Sequence, residues 1–406
     1  QRLGKAHAAL IQQAEQLGDG HGRVRVVELD RRLFRERVER PVFRLVPAND
    51  VLQRRGNEKD LLHEAELPES LLAIARAGAG VNNIPVAACA EKGIVVFNTP
   101  GANANAVKEL VIAGMLLASR KVANAIDWAK TLKGQGAEVG KLVEKGKSQF
   151  VGPEIMGKTI GIVGLGAIGV KVANTALSLG MKVVGYDPFL SVTAALGLKP
   201  GVKVVKTLPE VYAEADYLTL HLPCNAETKN TVCADSLAKM KDGVRILNFA
   251  RGELVNSTDI VAALASGKVA AYVTDFPSDE VIGVDGVTAI PHLGASTPES
   301  EDNCAYMAAI ELIDYIETGK VHNSVNLPDC ELAKTADHLV CVIHKNVPSM
   351  FSQVTAIISG TGANIESVAS KSKKDWAYTM LDVTGDVKTA CKDIEAIEGV
   401  VKVRVL

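Results

Sequence analysis

The stretch that most constrains this chain is residues 158–179, KTIGIVGLGAIGVKVANTALSL. An apolar run, 158–163, has the character of a short buried strand and leads straight into Gly164, Gly166 and Gly169. Residues 170–179 then carry apolar positions at helical spacing. Strand, G-x-G-x-x-G turn and helix, in that order, give the glycines a physical task. One makes the tight turn, one lets the backbone approach a pyrophosphate, and one lets helix and strand pack closely. The free N–H groups at the helix start favour the phosphates. A second strand, 181–187 (MKVVGYD), ends in Asp187. Dinucleotide folds place a ribose-binding acid about 20 residues past the glycines. Its carboxylate would accept ribose hydroxyls and repel a 2′-phosphate, so the expected cofactor is NAD rather than NADP.

From 151 to 292 strands and helices alternate, with strands expected at 159–163, 182–186, 203–205, 217–221, 244–248, 270–274 and 287–290. That alternation predicts a parallel, doubly wound sheet in an α/β fold. Residues 1–99 are expected to form a smaller α/β unit with a strand at 94–97, followed by a buried helix over 107–119. An amphipathic helix is expected over 298–318, opened by Pro298, and a linker over 322–336. Beyond it, 337–406 has its own order: strand 338–344, helix 349–359, strands 364–371 and 376–384, helix 389–397, strand 400–406. This βαββαβ succession predicts a ferredoxin-like domain. With 406 residues, 47% of them apolar, and a net charge of −2, the chain can bury the cores of two or three domains. No apolar run approaches the length of a membrane span and no leader is evident, so no membrane partner is expected. Seven cysteines, an odd number with no C-x-x-C pair, argue for a reduced cytoplasmic setting without disulfides or a metal site. Residues 23–55 hold ten of the sixteen arginines against five acids. The expectation there is a solvated face near an anionic substrate, with no nucleic-acid partner.

Three stretches place ionisable groups where strands should end, the region in which open α/β sheets hold ligands. Arg251 follows strand 244–248 and offers a planar fork of donors suited to a carboxylate and a neighbouring carbonyl oxygen. Asp275 and Glu280 follow strand 270–274. His292, in PHLGAST, is the side chain best suited to accept a hydroxyl proton near neutral pH. Glu280 is expected to hold its imidazole in one tautomer, the base-plus-orienter logic of a triad without the serine.

Six stretches together resemble the D-isomer-specific 2-hydroxyacid dehydrogenases: RAGAGVNNIPV (76–86), NTPGANANAVKEL (98–110), GKTIGIVGLGAIG (157–169), HLPCNAETKN (221–230), NFARGELV (248–255) and PHLGAST (291–297). They cover most of residues 72–320 in the family's order. The resemblance implies Arg251, Glu280 and His292 as the catalytic set. It implies NAD contacts at Ala167, Ile168, Leu222, Phe249, Ala250 and Gly294 besides the glycine loop and Asp187, with Asp275 on the nicotinamide carboxamide. Substrate contacts are implied at Ala79, Gly80 and Val81, whose amides would hold a carboxylate. Asn103 lies nearby, with Arg55, Arg76 and Lys108 supplying positive charge. The family architecture implies a Rossmann nucleotide domain (100–292) inserted into a flavodoxin-like substrate domain (1–99 and 293–327), with a linker at 328–336. Residues 337–406 are similar to an ACT domain. Members with that domain and the RAGAGVNN loop oxidise 3-phosphoglycerate, the first step of serine biosynthesis, and are homodimers or homotetramers. In them L-serine binds across a dimer seam, which implies His344, Asn346 and, from the other copy, Asn364 as effector contacts. Ser349 stands here where the family has a small glycine. Two other readings stay open: a dehydrogenase for an unphosphorylated 2-hydroxy acid, and an NAD-sensing scaffold that keeps the fold for protein contacts.

Overall fold

The computed structural model describes residues 24–26, 62–63 and 67–406. Arg55 and most of the arginine-rich 23–55 stretch therefore lie outside the described residues. The chain divides into two compact units, Gln1–Ala102 with Glu301–Leu406, and Asn103–Ser300.

The first unit opens with a three-stranded sheet. Strand β1 (Val24–Val26) runs antiparallel to β2 (Ala73–Arg76), which pairs in parallel with β3 (Val95–Asn98). Strands β2 and β3 are unbroken apolar runs except at their last residues, Arg76 and Asn98, where the chain leaves the core.

The second unit is built on a seven-stranded parallel sheet: β4 (Thr159–Val163), β5 (Lys182–Tyr186), β6 (Val202–Val204), β7 (Tyr217–Leu220), β8 (Val244–Asn248), β9 (Val269–Thr274) and β10 (Val287–Ala289). Their order in the sheet is β10-β9-β8-β7-β4-β5-β6, the doubly wound arrangement expected from the alternation. The strand order reverses between β4 and β7, and the glycine loop leaves β4 at that point. Ile160 and Ile162 pack into one core with Val172, Ala173 and Ala176, while Val163 packs into another with Leu218, Leu220 and Ile246. Burial on both faces explains why these strands are continuous apolar runs rather than alternating ones. The helix expected over 107–119 spans Ala104–Arg120 (α1), and that of the glycine loop spans Ala167–Ser178 (α2).

Helix α3 (Pro298–Thr318) matches its expected limits. The segment expected as a linker is packed instead. Val321 bridges Cys330, Asn326 accepts from the Val96 amide and donates to the Ile94 carbonyl, and Asp382 receives the amides of Thr335 and Ala336. Beyond it come β11 (His338–Lys345), α4 (Met350–Gly360), β12 (Asn364–Lys373), β13 (Trp376–Thr384), α5 (Lys388–Glu395) and β14 (Val400–Val405). They form an antiparallel sheet in the order β12-β13-β11-β14, with the βαββαβ succession read from the sequence. The two helices cover one face through Val340, Val342, Leu381 and Val383. The other face, Leu339, Cys341, Ile343, Tyr378 and Met380, shares a core with Val95, Phe97, Leu312 and Tyr315.

Candidate active site

The glycine loop divides its tasks as the spacing anticipates. Gly164 has φ +96°, and a Cβ there would lie 2.9 Å from the His221 carbonyl carbon, so only glycine turns the chain at this point. At Gly169 a Cβ would overlap the Gly164 carbonyl oxygen and stand 3.4 Å from Ile162, which is the close helix–strand contact. At Gly166, the residue preceding α2, no heavy atom lies within 4 Å of a Cβ position. That bare backbone faces open space at a helix N-terminus, a cradle that accommodates a pyrophosphate. Ala167 and Ile168 form the first turn of α2. Asp187 follows β5, and one oxygen accepts from the Leu165 amide at 2.8 Å while the other accepts from the Phe189 amide at 2.8 Å. The acid is thus braced against the glycine loop itself.

At the carboxyl ends of β8 and β9 the ionisable groups gather. Asp275 is fully buried. Its Oδ2 accepts from the Gly294 amide at 3.0 Å, whereas Oδ1 is buried with no hydrogen-bond partner. Burial pushes this carboxyl above its usual range, against the opposing pull of the Gly294 amide and the His292 ring. His292 is exposed and packs on Phe276, ring centres 4.6 Å apart. Arg251 is exposed, and its Nη1 donates to the Ala250 carbonyl at 2.6 Å. Phe249 is buried beneath this loop, and Leu222 is half-buried after β7.

Not every expected partnership forms. Glu280 lies exposed in the turn after β9, where Ser278 holds its carboxyl below the usual range. Among the described residues no hydrogen bond or ion pair links it to His292. The carboxylate that the imidazole does influence is Asp275. Lys108 pairs with the neighbouring Glu109 at 3.5 Å, and Asn103 precedes α1 without a side-chain cap.

In the first unit, the loop at Ala79, Gly80 and Val81 is clamped from three sides. Arg76 turns back to donate to the Gly80 carbonyl, Asn98 donates to the Ala79 carbonyl at 2.6 Å, and Thr99 accepts from the Gly78 amide at 2.7 Å. Arg76 thus fixes the loop whose amides were expected to face a carboxylate. In the C-terminal sheet, the structure does not offer His344 as a ligand. It is buried, Nδ1 donates to the Lys345 carbonyl, and Nε2 accepts from Thr379. Asn346 donates to the Lys374 carbonyl and Asn364 to Glu366. Within one chain these residues do not meet: His344 pairs with Ala377 and Asn364 with Thr384, at opposite ends of β13. Ser349 has φ +67°, a left-handed conformation suited to glycine.

Two positioning residues were not singled out from the sequence. Asn248 is fully buried and donates to the Arg251 carbonyl at 2.9 Å while accepting from the Ala250 amide at 3.3 Å, which shapes the loop that carries the arginine. His221 bonds Thr219 at 3.1 Å, and burial pushes its imidazole down to about 3, so it is neutral at pH 7. A polar residue ending an apolar strand run was the available signal for both.

Residues 112–294 match the family described as D-isomer specific 2-hydroxyacid dehydrogenase, NAD binding domain. The hydroxypyruvate reductase of Thermotoga maritima is 37% identical over 284 residues, which is 68% of this chain and 86% of that protein. The D-3-phosphoglycerate dehydrogenase of Archaeoglobus fulgidus is 35% identical over 71% of this chain and 54% of its own length. This chain thus spans about half the length of such phosphoglycerate dehydrogenases. A glyoxylate reductase structure from Paecilomyes thermophila is similar with a TM-score of 0.55 and 32% identity, over 64% of this chain and 76% of that one.

Proposed function

The chain belongs to the D-isomer-specific 2-hydroxyacid dehydrogenases, and from that premise we propose that it oxidises 3-phospho-D-glycerate to 3-phosphohydroxypyruvate with NAD, the first step of serine biosynthesis. The observation that carries the reading is Asp275, a buried carboxyl with one unmet oxygen beside an exposed histidine, in the unit whose glycine loop leaves Gly166 bare. NAD, when bound, supplies the hydride acceptor. Asp187 accepts ribose hydroxyls, the backbone at Gly164, Gly166, Ala167, Ile168 and Gly169 holds the pyrophosphate, and Asp275 Oδ1 accepts from the carboxamide. Leu222, Phe249, Ala250 and Gly294 complete that pocket. Arg251 grips the substrate carboxylate and the oxygen that becomes a carbonyl. His292 takes the hydroxyl proton, and Glu280 stands with it and Arg251 in the catalytic set. Arg76, Asn103, Lys108 and Arg55 bind or support the anionic substrate, with the amides of Ala79, Gly80 and Val81 on its carboxylate.

The same reading assigns 1–99 and 293–327 to a flavodoxin-like substrate domain, 100–292 to the nucleotide domain, 328–336 to their connection with the last domain, and 337–406 to an ACT domain. The protein is then a cytoplasmic homodimer or homotetramer with L-serine as effector. Asn346 and a second copy's Asn364 hold the serine, and His344 acts only by shaping the strand. Titrating serine against turnover, with Asn346→Ala alongside, tests this; unchanged rates at millimolar serine would leave the domain an assembly module. A second reading, oxidation or reduction of an unphosphorylated acid, is favoured by the extent of the match to the Thermotoga reductase. One substrate panel followed by NADH absorbance separates the two. Preference for glycerate over 3-phosphoglycerate would overturn the first reading, and no NADH from any 2-hydroxy acid would overturn both.

A further inference from the structure

Helix α3 and the turn after it enclose a cleft of about 390 Å³ in the first unit, within the size range of small-molecule sites. Met307 and Ile310 give it apolar walls, and Glu311 lies at its floor, only 5% exposed. Glu311 Oε1 accepts from the Asn323 side chain at 2.8 Å, but Oε2 is buried with no hydrogen-bond partner. Leaving such an atom unanswered is costly, and native structures rarely do so without a use.

The charged groups around it explain what is missing. On α3 stands Asp314, and from the following segment come Lys320, His322 and Asp329. Lys320 is engaged by Glu331 at 3.1 Å and by Asp314 at 4.0 Å, and His322 by Asp329 at 3.1 Å. No cation among the described residues bonds Glu311, while Asp314 and Asp329 add negative potential. Burial above all, and then these two carboxylates, push its carboxyl up to about 8. The cleft is electronegative, apolar-walled and supplied with one unmet acid. A metal is a poor match, because no group of three or more His, Cys, Asp or Glu among the described residues could hold one.

We propose that this cleft binds a small organic ammonium, a primary amine on a short apolar body, whose N–H groups meet Glu311 Oε2 while Met307 and Ile310 cover its carbons. No covalent bond forms. Near pH 7 Glu311 is largely protonated, so docking of the ammonium releases one proton to solvent and leaves a carboxylate–ammonium pair. Affinity must then rise about tenfold per pH unit below 8 and level off above it.

The test is calorimetry on the full chain with n-propylamine hydrochloride, from pH 6 to 9, in two buffers of different ionisation enthalpy. The expected result is saturable binding with close to one proton released at pH 6, and much weaker heats for 1-propanol and butyrate. Glu311→Gln keeps a carbonyl for Asn323 and removes the charge, and should weaken propylamine roughly tenfold to a hundredfold and abolish the proton release. Absence of saturable binding, binding without proton release, or undiminished affinity in Glu311→Gln would each overturn the proposal. Should that variant fail to fold by circular dichroism, the proton count of the unaltered protein decides alone.

Discussion

Alanine placed at two glycines of one loop should separate what the fold requires from what the ligand requires. At Gly169 the new Cβ would overlap the Gly164 carbonyl oxygen and stand 3.0 Å from its carbon. Both are main-chain atoms, so α2 must move off β4 rather than let a side chain rotate away. Overpacking of a tight contact costs typically about 1–3 kcal/mol, and the rigidity of the neighbours argues for the upper half, about 2–3 kcal/mol. In a domain of this size each kcal/mol moves the midpoint by about 2–4 °C, so Gly169→Ala should melt roughly 4–12 °C early. Gly166 has φ −74° and no atom within 4 Å of its Cβ position. Gly166→Ala should therefore change stability by less than about 0.5 kcal/mol. Its penalty should fall on the nucleotide. With NAD at a hundred times Kd the unaltered protein gains about 2.7 kcal/mol, and Gly166→Ala should lose most of that gain. Thermal melts of the three proteins with and without NAD make the measurement. The reasoning is refuted if Gly166→Ala melts as early as Gly169→Ala without nucleotide, or if it keeps the full NAD shift.

Three further outcomes follow from single side chains, and one from pH. Asp187→Ala should weaken NAD and raise the relative use of NADP; an unmoved efficiency ratio would show that the ribose acid lies elsewhere. His292→Ala should lose about 10²- to 10⁴-fold in turnover with little change in NAD affinity, read by stopped-flow and fluorescence titration. Arg404 donates to the Tyr315 and Ile316 carbonyls at 3.1 and 2.9 Å and lies over the Tyr315 ring at 4.5 Å, so it caps the C-terminal end of α3. Arg404→Met should cost about 2–4 kcal/mol in urea unfolding. Glu311 titrates near 8 in the fold against a usual 4.5. Between those values the native state binds more protons than the unfolded one, so this group lowers stability as pH rises, by up to about 1.4 kcal/mol per unit. Glu311→Gln should flatten that slope in urea melts taken from pH 5 to 8.

Much of the fold was legible because burial on two faces writes itself as unbroken apolar runs. Strands β4, β7, β9 and β11 fall close to where those runs lie, and Gly164, Gly166 and Gly169 each meet the steric environment their spacing implies. The helices Val122–Thr131 and Val139–Gly146 were not among the expected elements: Val139, Leu142 and Val143 do recur at helical spacing, but both segments are short and no residue of either is buried, so neither belongs to a core. Residues 328–336 suggested a linker because their polar atoms find partners far away in sequence, as Thr335 does at Asp382. The same blindness to distant partners hid Arg76 turning onto Gly80, Thr379 satisfying His344, and Glu280 standing unjoined to His292.

The second face of the C-terminal sheet is the clearest case. Eight of the nine residues of β13 are buried, which announces a strand covered on both sides but cannot name what covers it. One cover is local, the pair α4 and α5. The other is Phe97 and Tyr315, from segments distant in sequence, with Tyr378 donating to the Gly319 carbonyl at 2.8 Å and Lys402 to that of Leu71 at 3.1 Å. A sheet bound in this way is part of the core of the first unit, not an appendage on a tether. A ligand that altered the sheet would thus act on β2 and β3 through packed side chains, and shortening or lengthening residues 328–336 would disturb folding before it disturbed any regulatory response.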